Sequence, residues 1–249
     1  MSRGRMEEAI VILRRAAKTN GRAMPQNLHL KYENENIRNM EIIKELLSSR
    51  KLLLYWSIAS ANWFVVSFIY YGIKINIGKL GGDLYVSFTL LVIAETIGCA
   101  LLFAMDFIGH KRLHMIAMAL TCVACVVPIF LILFSNESMH WMTVTFAVIG
   151  KLFVSTAFGM IYVYTGEIFP TVVRQFTIGS CAVFARIGSL SSPYLYHLAE
   201  GKMKRALPLI LYGVIIAVVT LLTILLPETS RRKLPDHVKE SENAEITKG

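Results

Sequence analysis

Three ionisable residues, Glu95, Lys151 and Arg186, each stand alone about halfway along an apolar run long enough to cross a bilayer. A charge at the centre of the hydrocarbon costs roughly 2.5–3.5 kcal/mol on insertion scales, so such charges either pair with one another or line a wet path. The rest of the composition agrees with a membrane setting. Hydrophobic residues make up 55% of the 249 and charged residues only 17%, against about 25% charged in soluble domains. The expected fold class is therefore an all-α, polytopic membrane protein with a passage for polar solutes.

The formal net charge of +9 does not indicate nucleic acid. The basic residues gather in the segments that flank the apolar runs, where they set topology and meet anionic lipid. The four cysteines (Cys99, Cys122, Cys125 and Cys181) all fall inside expected spans and build neither a secreted disulfide framework nor a zinc site. Cys122 and Cys125 lie three apart on one helix face and read as small packing residues. Paired carboxylates, a Cys/His dyad, a G-x-S-x-G turn and a phosphate loop are all missing from the sequence, so neither an enzyme nor a bound cofactor is expected.

Residues 1–51 read as a cytoplasmic segment with two short amphipathic helices. One covers about 6–18, with Glu7 and Glu8 in its first turn and Arg14, Arg15 and Lys18 in its last, which suits the helix dipole. The other covers about 36–50, where Ile37, Met40, Ile43 and Leu47 recur at helical spacing. Six spans are expected over 52–226, at about 52–72, 84–105, 113–134, 141–164, 176–198 and 207–226, followed by a tail at 227–249. Short loops make neighbouring helices antiparallel. With the first 51 residues inside, the inner face holds 19 Lys/Arg and the outer face 5, so both termini are placed in the cytoplasm. The sequon Asn136-Glu137-Ser138 then lies outside, in a loop of about six residues.

Several motifs carry a resemblance. Asp106-Phe-Ile-Gly109-His110-Lys111-Arg112 resembles the D-x-x-G-R-[RK]-R cytoplasmic loop of the major facilitator superfamily, with His110 where that pattern has its first arginine. Physically, Gly109 permits the tight turn, Asp106 ends a helix, and the basic pair Lys111/Arg112 anchors at the inner leaflet. Tyr162-Val-Tyr164-Thr165-Gly166-Glu167-Ile-Phe-Pro170-Thr171-Val-Val-Arg174 closely resembles the Y-x-Y-T-x-E-L-Y-P-T-x-x-R block of the organic cation, carnitine and organic anion transporters of that superfamily. There Pro170 stops a helix, and Glu167 and Arg174 lie close enough to pair across a gating interface. Gly4-Arg5-Met6-Glu7-Glu8-Ala9, Leu80-Gly81-Gly82-Asp83, Gly150-Lys151, Ala185-Arg186-Ile187-Gly188 and Leu226-Pro227-Glu228-Thr229 continue the resemblance in order along the chain.

The resemblance implies the central cytoplasmic loop and helices 7–12 of a twelve-helix carrier in the plasma membrane. Alternating access needs two halves rocking about a midplane site, so a missing N-terminal half or a second half-transporter is the expected partner, beside the lipid bilayer and a small organic ion as substrate. The alternative is a non-transporting six-helix membrane partner that regulates a full-length transporter.

For substrate binding the resemblance puts Arg186 first, because family members that handle carboxylate-bearing solutes carry arginine there. A planar guanidinium suits a carboxylate. A structural arginine paired with Glu95, or with a carboxylate of the missing half, is the other reading. Lys151 either lines the cavity or sits in an internal salt bridge. Glu95 either attracts a cationic head group or is the counter-charge of Lys151 or Arg186. Trp63, Tyr70 and Tyr71 are aromatic candidates for cation–π contact, with one of the two tyrosines assigned to the interfacial belt. Ser155, Gly159, Gly179 and Gly188 are expected at close helix contacts, and Pro128 and Pro193 at kinks.

Overall fold

Capping residues mark where two of the helices start. Ser49 holds an extended backbone and accepts a hydrogen bond from Leu52 N, while Asp83 Oδ1 accepts from Tyr85 N and Val86 N; both satisfy backbone donors that a helix start leaves open. The computed structural model describes residues 6–20, 49–77, 83–134, 140–197 and 203–229. By contacts the chain divides into two units, Met1–Lys44 and Glu45–Gly249. In the first, α1 spans Met6–Thr19, as its charge pattern predicts. Most of the expected 36–50 helix, the sequon and the tail beyond 229 lie outside the described residues.

The second unit is a helical bundle: α2 (Arg50–Asn76), α3 (Leu84–Ala100), a 3-10 turn at Leu101–Ala104 leading into the short α4 (Met105–Ile108), α5 (His110–Phe134), α6 (His140–Ile168), α7 (Thr171–Ser191), a 3-10 turn at Ser192–His197, and α8 (Met203–Thr223). All of the described regular structure is helical. Among the described residues, four segments are long and apolar enough to cross a membrane: Arg50–Ile75, Leu84–Ile108, His110–Phe130 and Trp141–Ile168. These coincide with the first four of the six expected spans. α7 carries Arg174, Gln175 and Arg186 among its serines, threonines and glycines, which dilute its apolar character. α8 carries an apolar stretch over Leu207–Thr223.

Helix α2 is the axis of the bundle and packs against α6, α7 and α8, while α5 packs on α6 and α8, and α3 leans on α6. Val66, Ile69, Met118, Val154, Ala157 and Ile216 are among the residues that close the core. Two approaches are set by missing side chains. A Cβ on Gly188 would stand 2.4 Å from the Phe64 carbonyl oxygen, and one on Gly98 2.4 Å from that of Leu152. Gly188 thus brings α7 onto α2, as the sequence suggested, and Gly98, which the sequence reading passed over, brings α3 onto α6. Gly159 abuts Leu102, whereas Gly179 has open space around it and serves no close contact. Pro128 lies inside α5, and Pro193 falls in the 3-10 turn after α7.

At one end of the bundle the chain ties itself together. Gly109 adopts φ +99°, a backbone that side chains disfavour, and so allows α4 to turn directly into α5. Asp106 is exposed in the first turn of α4, and the helix ends at Ile108 rather than at the aspartate. Lys111 Nζ donates to the carbonyls of Ile224 (2.8 Å) and Leu226 (2.5 Å), and its backbone N–H to Glu228 Oε1 (3.1 Å). A lysine on the carbonyls of the turn that follows α8 satisfies acceptors that a chain leaving a helix exposes. Arg112 is exposed. His110 Nδ1 lies 2.5 Å from Glu167 Oε2, which also accepts from Thr229 Oγ1 at 2.6 Å. Glu167 is therefore engaged by His110 and Thr229, and Arg174 donates instead to the Phe169 carbonyl at 3.3 Å. The suggested Glu167–Arg174 pair is not formed, because Pro170 caps α7 (its carbonyl accepts from Val173 and Arg174 N–H) and the two side chains leave on different elements.

Candidate binding site

Three helices converge on one charge cluster. Lys151, on α6, is fully buried, and its ammonium lies 3.3 Å from Glu95 Oε2 on α3. The same ammonium sits over the Tyr70 ring of α2, 2.9 Å from the centroid. Tyr70 closes the triangle by donating its hydroxyl to Glu95 Oε1. Lys151 and Glu95 are thus paired with one another. Glu95 keeps about a third of its side chain exposed, so the cluster is sealed on the lysine side and open on the carboxylate side.

An aromatic ladder extends from the cluster along the seam of α2 and α6. Tyr71 meets Tyr70 edge-on at 5.1 Å, Tyr70 stacks on Phe158 at 5.0 Å, Phe158 meets Tyr162 at 5.7 Å, and Tyr162 meets Trp63 at 4.3 Å. The spacing explains the alignment. Trp63 and Tyr70 are seven apart on α2, and Lys151, Phe158 and Tyr162 fall at i, i+7 and i+11 on α6, so each set forms one stripe. Trp63 itself is buried and donates Nε1–H to Thr165 Oγ1 at 3.0 Å, whereas Tyr162 is exposed. Phe158 and Tyr162 were not singled out from the sequence, although their register with Lys151 marks them.

Arg186 takes no part in this cluster. It lies on the exposed side of α7 and forms no ion pair among the described residues. Between α2 and α7 an open apolar cavity of about 340 Å³ is lined by Trp56, Ser57, Ser60, Ala61, Phe64 and Phe184. Trp56 Nε1 is satisfied by Ser180 Oγ at 2.8 Å, which leaves the indole face to apolar contact.

Deeper in the bundle, Asn62 Oδ1 accepts from Thr223 Oγ1 and lies 3.1 Å from His114 Nε2. Its amide nitrogen donates to the Ile58 carbonyl, so the imidazole Nε2 carries the proton it shares with Asn62. His114 lies on α5. It joins α2, α5 and α8 through a buried polar network. Cys122 and Cys125 hold free thiols, and Cys122 donates to the Gly213 carbonyl. No group of three or more metal-ligating side chains occurs among the described residues.

Comparison with known proteins identifies the family. The model of the "Sugar (and other) transporter" family matches residues 1–238. The chain is 32% identical to an organic cation transporter protein of Drosophila melanogaster, with 98% of the chain and 45% of the relative aligned. It is 32% identical to the human organic cation/carnitine transporter 2 (96% and 43% aligned) and 31% identical to the human solute carrier family 22 member 13 (97% and 43% aligned). It thus spans less than half the length of these relatives. A model matched along almost the whole sequence places the chain in the sugar (and other) transporter family, whose members are membrane transporters rather than enzymes.

Proposed function

We propose that this chain works as the C-terminal half of a secondary carrier for small organic ions: organic cations, carnitine-like zwitterions or organic anions. The observation that carries this reading is the Glu95–Lys151–Tyr70 cluster, whose open carboxylate edge continues into the aromatic ladder of α2 and α6. Charges held at span centres next to stacked rings suit a solute with a charged head and an apolar body. Arg186 adds an exposed guanidinium on α7 for a carboxylate group.

Six transmembrane helices are assigned to the bundle, with α7 and α8 completing the set. The low apolarity of α7 fits a helix that faces a wet cavity instead of lipid. Large apolar residues on α3 and its continuation, among them Tyr85, Val92, Phe103 and Phe107, are exposed and would be covered by lipid or by an N-terminal half. The carrier is read as a plasma-membrane protein, as the resemblance implies, and the distribution of Lys and Arg supports both ends of this segment in the cytoplasm. Alternating access then rocks the two halves about the midplane cluster.

Arg186 supplies the test. In a carrier completed by an N-terminal half, Arg186→Ala is expected to reduce uptake of a labelled aromatic carboxylate by about thirtyfold or more. Truncating one side of a desolvated charge contact costs about 2–5 kcal/mol. Uptake of tetraethylammonium should change far less. Unaltered carboxylate flux at equal surface expression would remove Arg186 from the site.

A further inference from the structure

We propose that His110 makes the junction of α5, α6 and the segment after α8 proton-dependent: acid tightens the tie between His110 and Glu167, and alkali loosens it. The junction lies apart from the charge cluster around Glu95, and the inference does not depend on the transport reading.

Two ties run side by side from the start of α5. In the first, Lys111 donates its ammonium to the carbonyls of Ile224 and Leu226 and its backbone N–H to Glu228 Oε1. Lysines and glutamates ordinarily titrate well away from neutrality, so this tie is constant there. In the second, His110 Nδ1 lies 2.5 Å from Glu167 Oε2 at the end of α6, and the same oxygen accepts from Thr229 Oγ1 at 2.6 Å. Histidine is the side chain whose charge ordinarily changes between pH 5 and 8. The His110 and Glu167 side chains keep 12% and 24% of their surface exposed. That is open enough for a proton to enter and leave, and shielded enough for a charge to count.

Protonation decides the strength of the second tie. A neutral imidazole offers Glu167 an N–H alone, whereas an imidazolium adds a full positive charge to the same bond. The start of α5 opposes that charge, since a helix N-terminus carries about half a positive unit. Glu167 answers with a whole negative unit at contact distance and dominates. The other charged side chains of the surrounding elements are Asp106 on α4, Lys111 and Arg112 on α5, Arg174 on α7 and Glu228 after α8. Together with Glu167 they balance, three acids against three bases, so the imidazole proton tips the charge of the junction. Among the described residues, only Glu167 forms an ion pair with the ring. An imidazolium held by a carboxylate contributes stability while it is protonated, so the contribution is present in acid and lost as pH rises through neutrality. Because Thr229 shares the Glu167 oxygen, the hold on the chain leaving α8 follows the same proton.

Thermal unfolding of the 249-residue chain in detergent, between pH 5.5 and 8.5, tests this with two substitutions. His110→Arg keeps a positive charge over the whole range, and His110→Gln never carries one. The lead of His110→Arg over the unsubstituted chain should widen by about 2–4 °C from the acid to the alkaline end. The lead of the unsubstituted chain over His110→Gln should close by a similar amount. Taking differences removes the pH response of the groups that all three chains share. On a Glu167→Gln background both changes should vanish, since no carboxylate is left to favour the charged ring.

If His110→Arg does not fold, the comparison with His110→Gln carries the same test alone. A lead over His110→Gln that stays constant with pH, that grows as pH rises, or that closes equally on the Glu167→Gln background would each overturn the proposal. A purely structural histidine would give the first of these results. The readout is the stability of the chain itself, so failure of uptake in a completed carrier would leave it untouched.

Discussion

Glu95→Ala is expected to destabilise the bundle by about 3–5 kcal/mol, the range for breaking a buried ion pair by removing one partner. The size follows from which partner stays behind. Lys151 is fully buried and Glu95 is its ion-pair partner, so truncating the carboxylate leaves an ammonium with only the Tyr70 ring opposite it. Tyr70 loses its hydroxyl acceptor in the same step. The reverse truncation, Lys151→Ala, should be milder, because Glu95 keeps an exposed edge through which water can solvate it. Replacing both, Glu95→Gln with Lys151→Met, should recover much of the loss, since no unpaired charge remains. Thermal unfolding of the four proteins in detergent measures the set. If Glu95→Ala proves no more damaging than Lys151→Ala, the pair does not hold the lysine as described.

Gly188→Ala carries the second large effect. Its Cβ would stand 2.4 Å from the Phe64 carbonyl oxygen and 3.2 Å from the Phe64 carbonyl carbon. That neighbour is the backbone of α2, which no rotamer change can move. α7 must then withdraw from α2 along a seam that also holds the Trp56–Ser180 hydrogen bond and the Trp56–Phe184 contact. Overpacking of this kind costs typically about 1–3 kcal/mol and more where the backbone must shift. The expected outcome is a markedly lower unfolding midpoint together with a red-shifted tryptophan emission as Trp56 becomes wetter. Gly179→Ala on the same helix, with open space around its Cβ, should leave both readings unchanged. That contrast separates helix approach from a general loss of glycine.

Much of the architecture can be read from local pattern, and much of the site cannot. Residues 6–18, the Asp83 start, the Pro170 break and the Gly109 turn each depend on nearest-neighbour chemistry: caps, a missing N–H, a positive φ. The structure places all of them within a few residues of the sequence reading. Several helices start earlier than expected, α2 at Arg50 and α5 at His110 among them. Charged residues stop an apolar count but continue a helix. For the same reason α7 reads as a span by its position in the chain, while its arginines and small polar residues keep it below the apolarity of the other four.

At the cluster, sequence pattern identified Glu95 and Lys151 but could not choose between pairing and solute contact. That choice depends on α3 approaching α6 closely, which Gly98 and the Leu152 carbonyl decide. The ladder through Phe158 and Tyr162 was hidden because aromatic residues are common on apolar helices. Only the register with Lys151 distinguishes them. The His110–Glu167–Thr229 contact joins residues far apart in the chain and was out of reach of spacing arguments, although the histidine was visible as a departure from an arginine pattern.

The most direct test of the central claim is solute uptake by vesicles or cells containing the 249-residue chain alone, and by the same chain co-expressed with a six-helix N-terminal half. Labelled carnitine, tetraethylammonium and an aromatic carboxylate would be offered in parallel. The half-carrier account predicts no saturable uptake by the chain alone. It predicts saturable uptake of at least one organic ion by the assembled pair, with the flux reduced by Glu95→Ala or Arg186→Ala. Saturable uptake by the chain alone, or none of the three solutes moved by an assembled pair shown to reach the membrane, would contradict it.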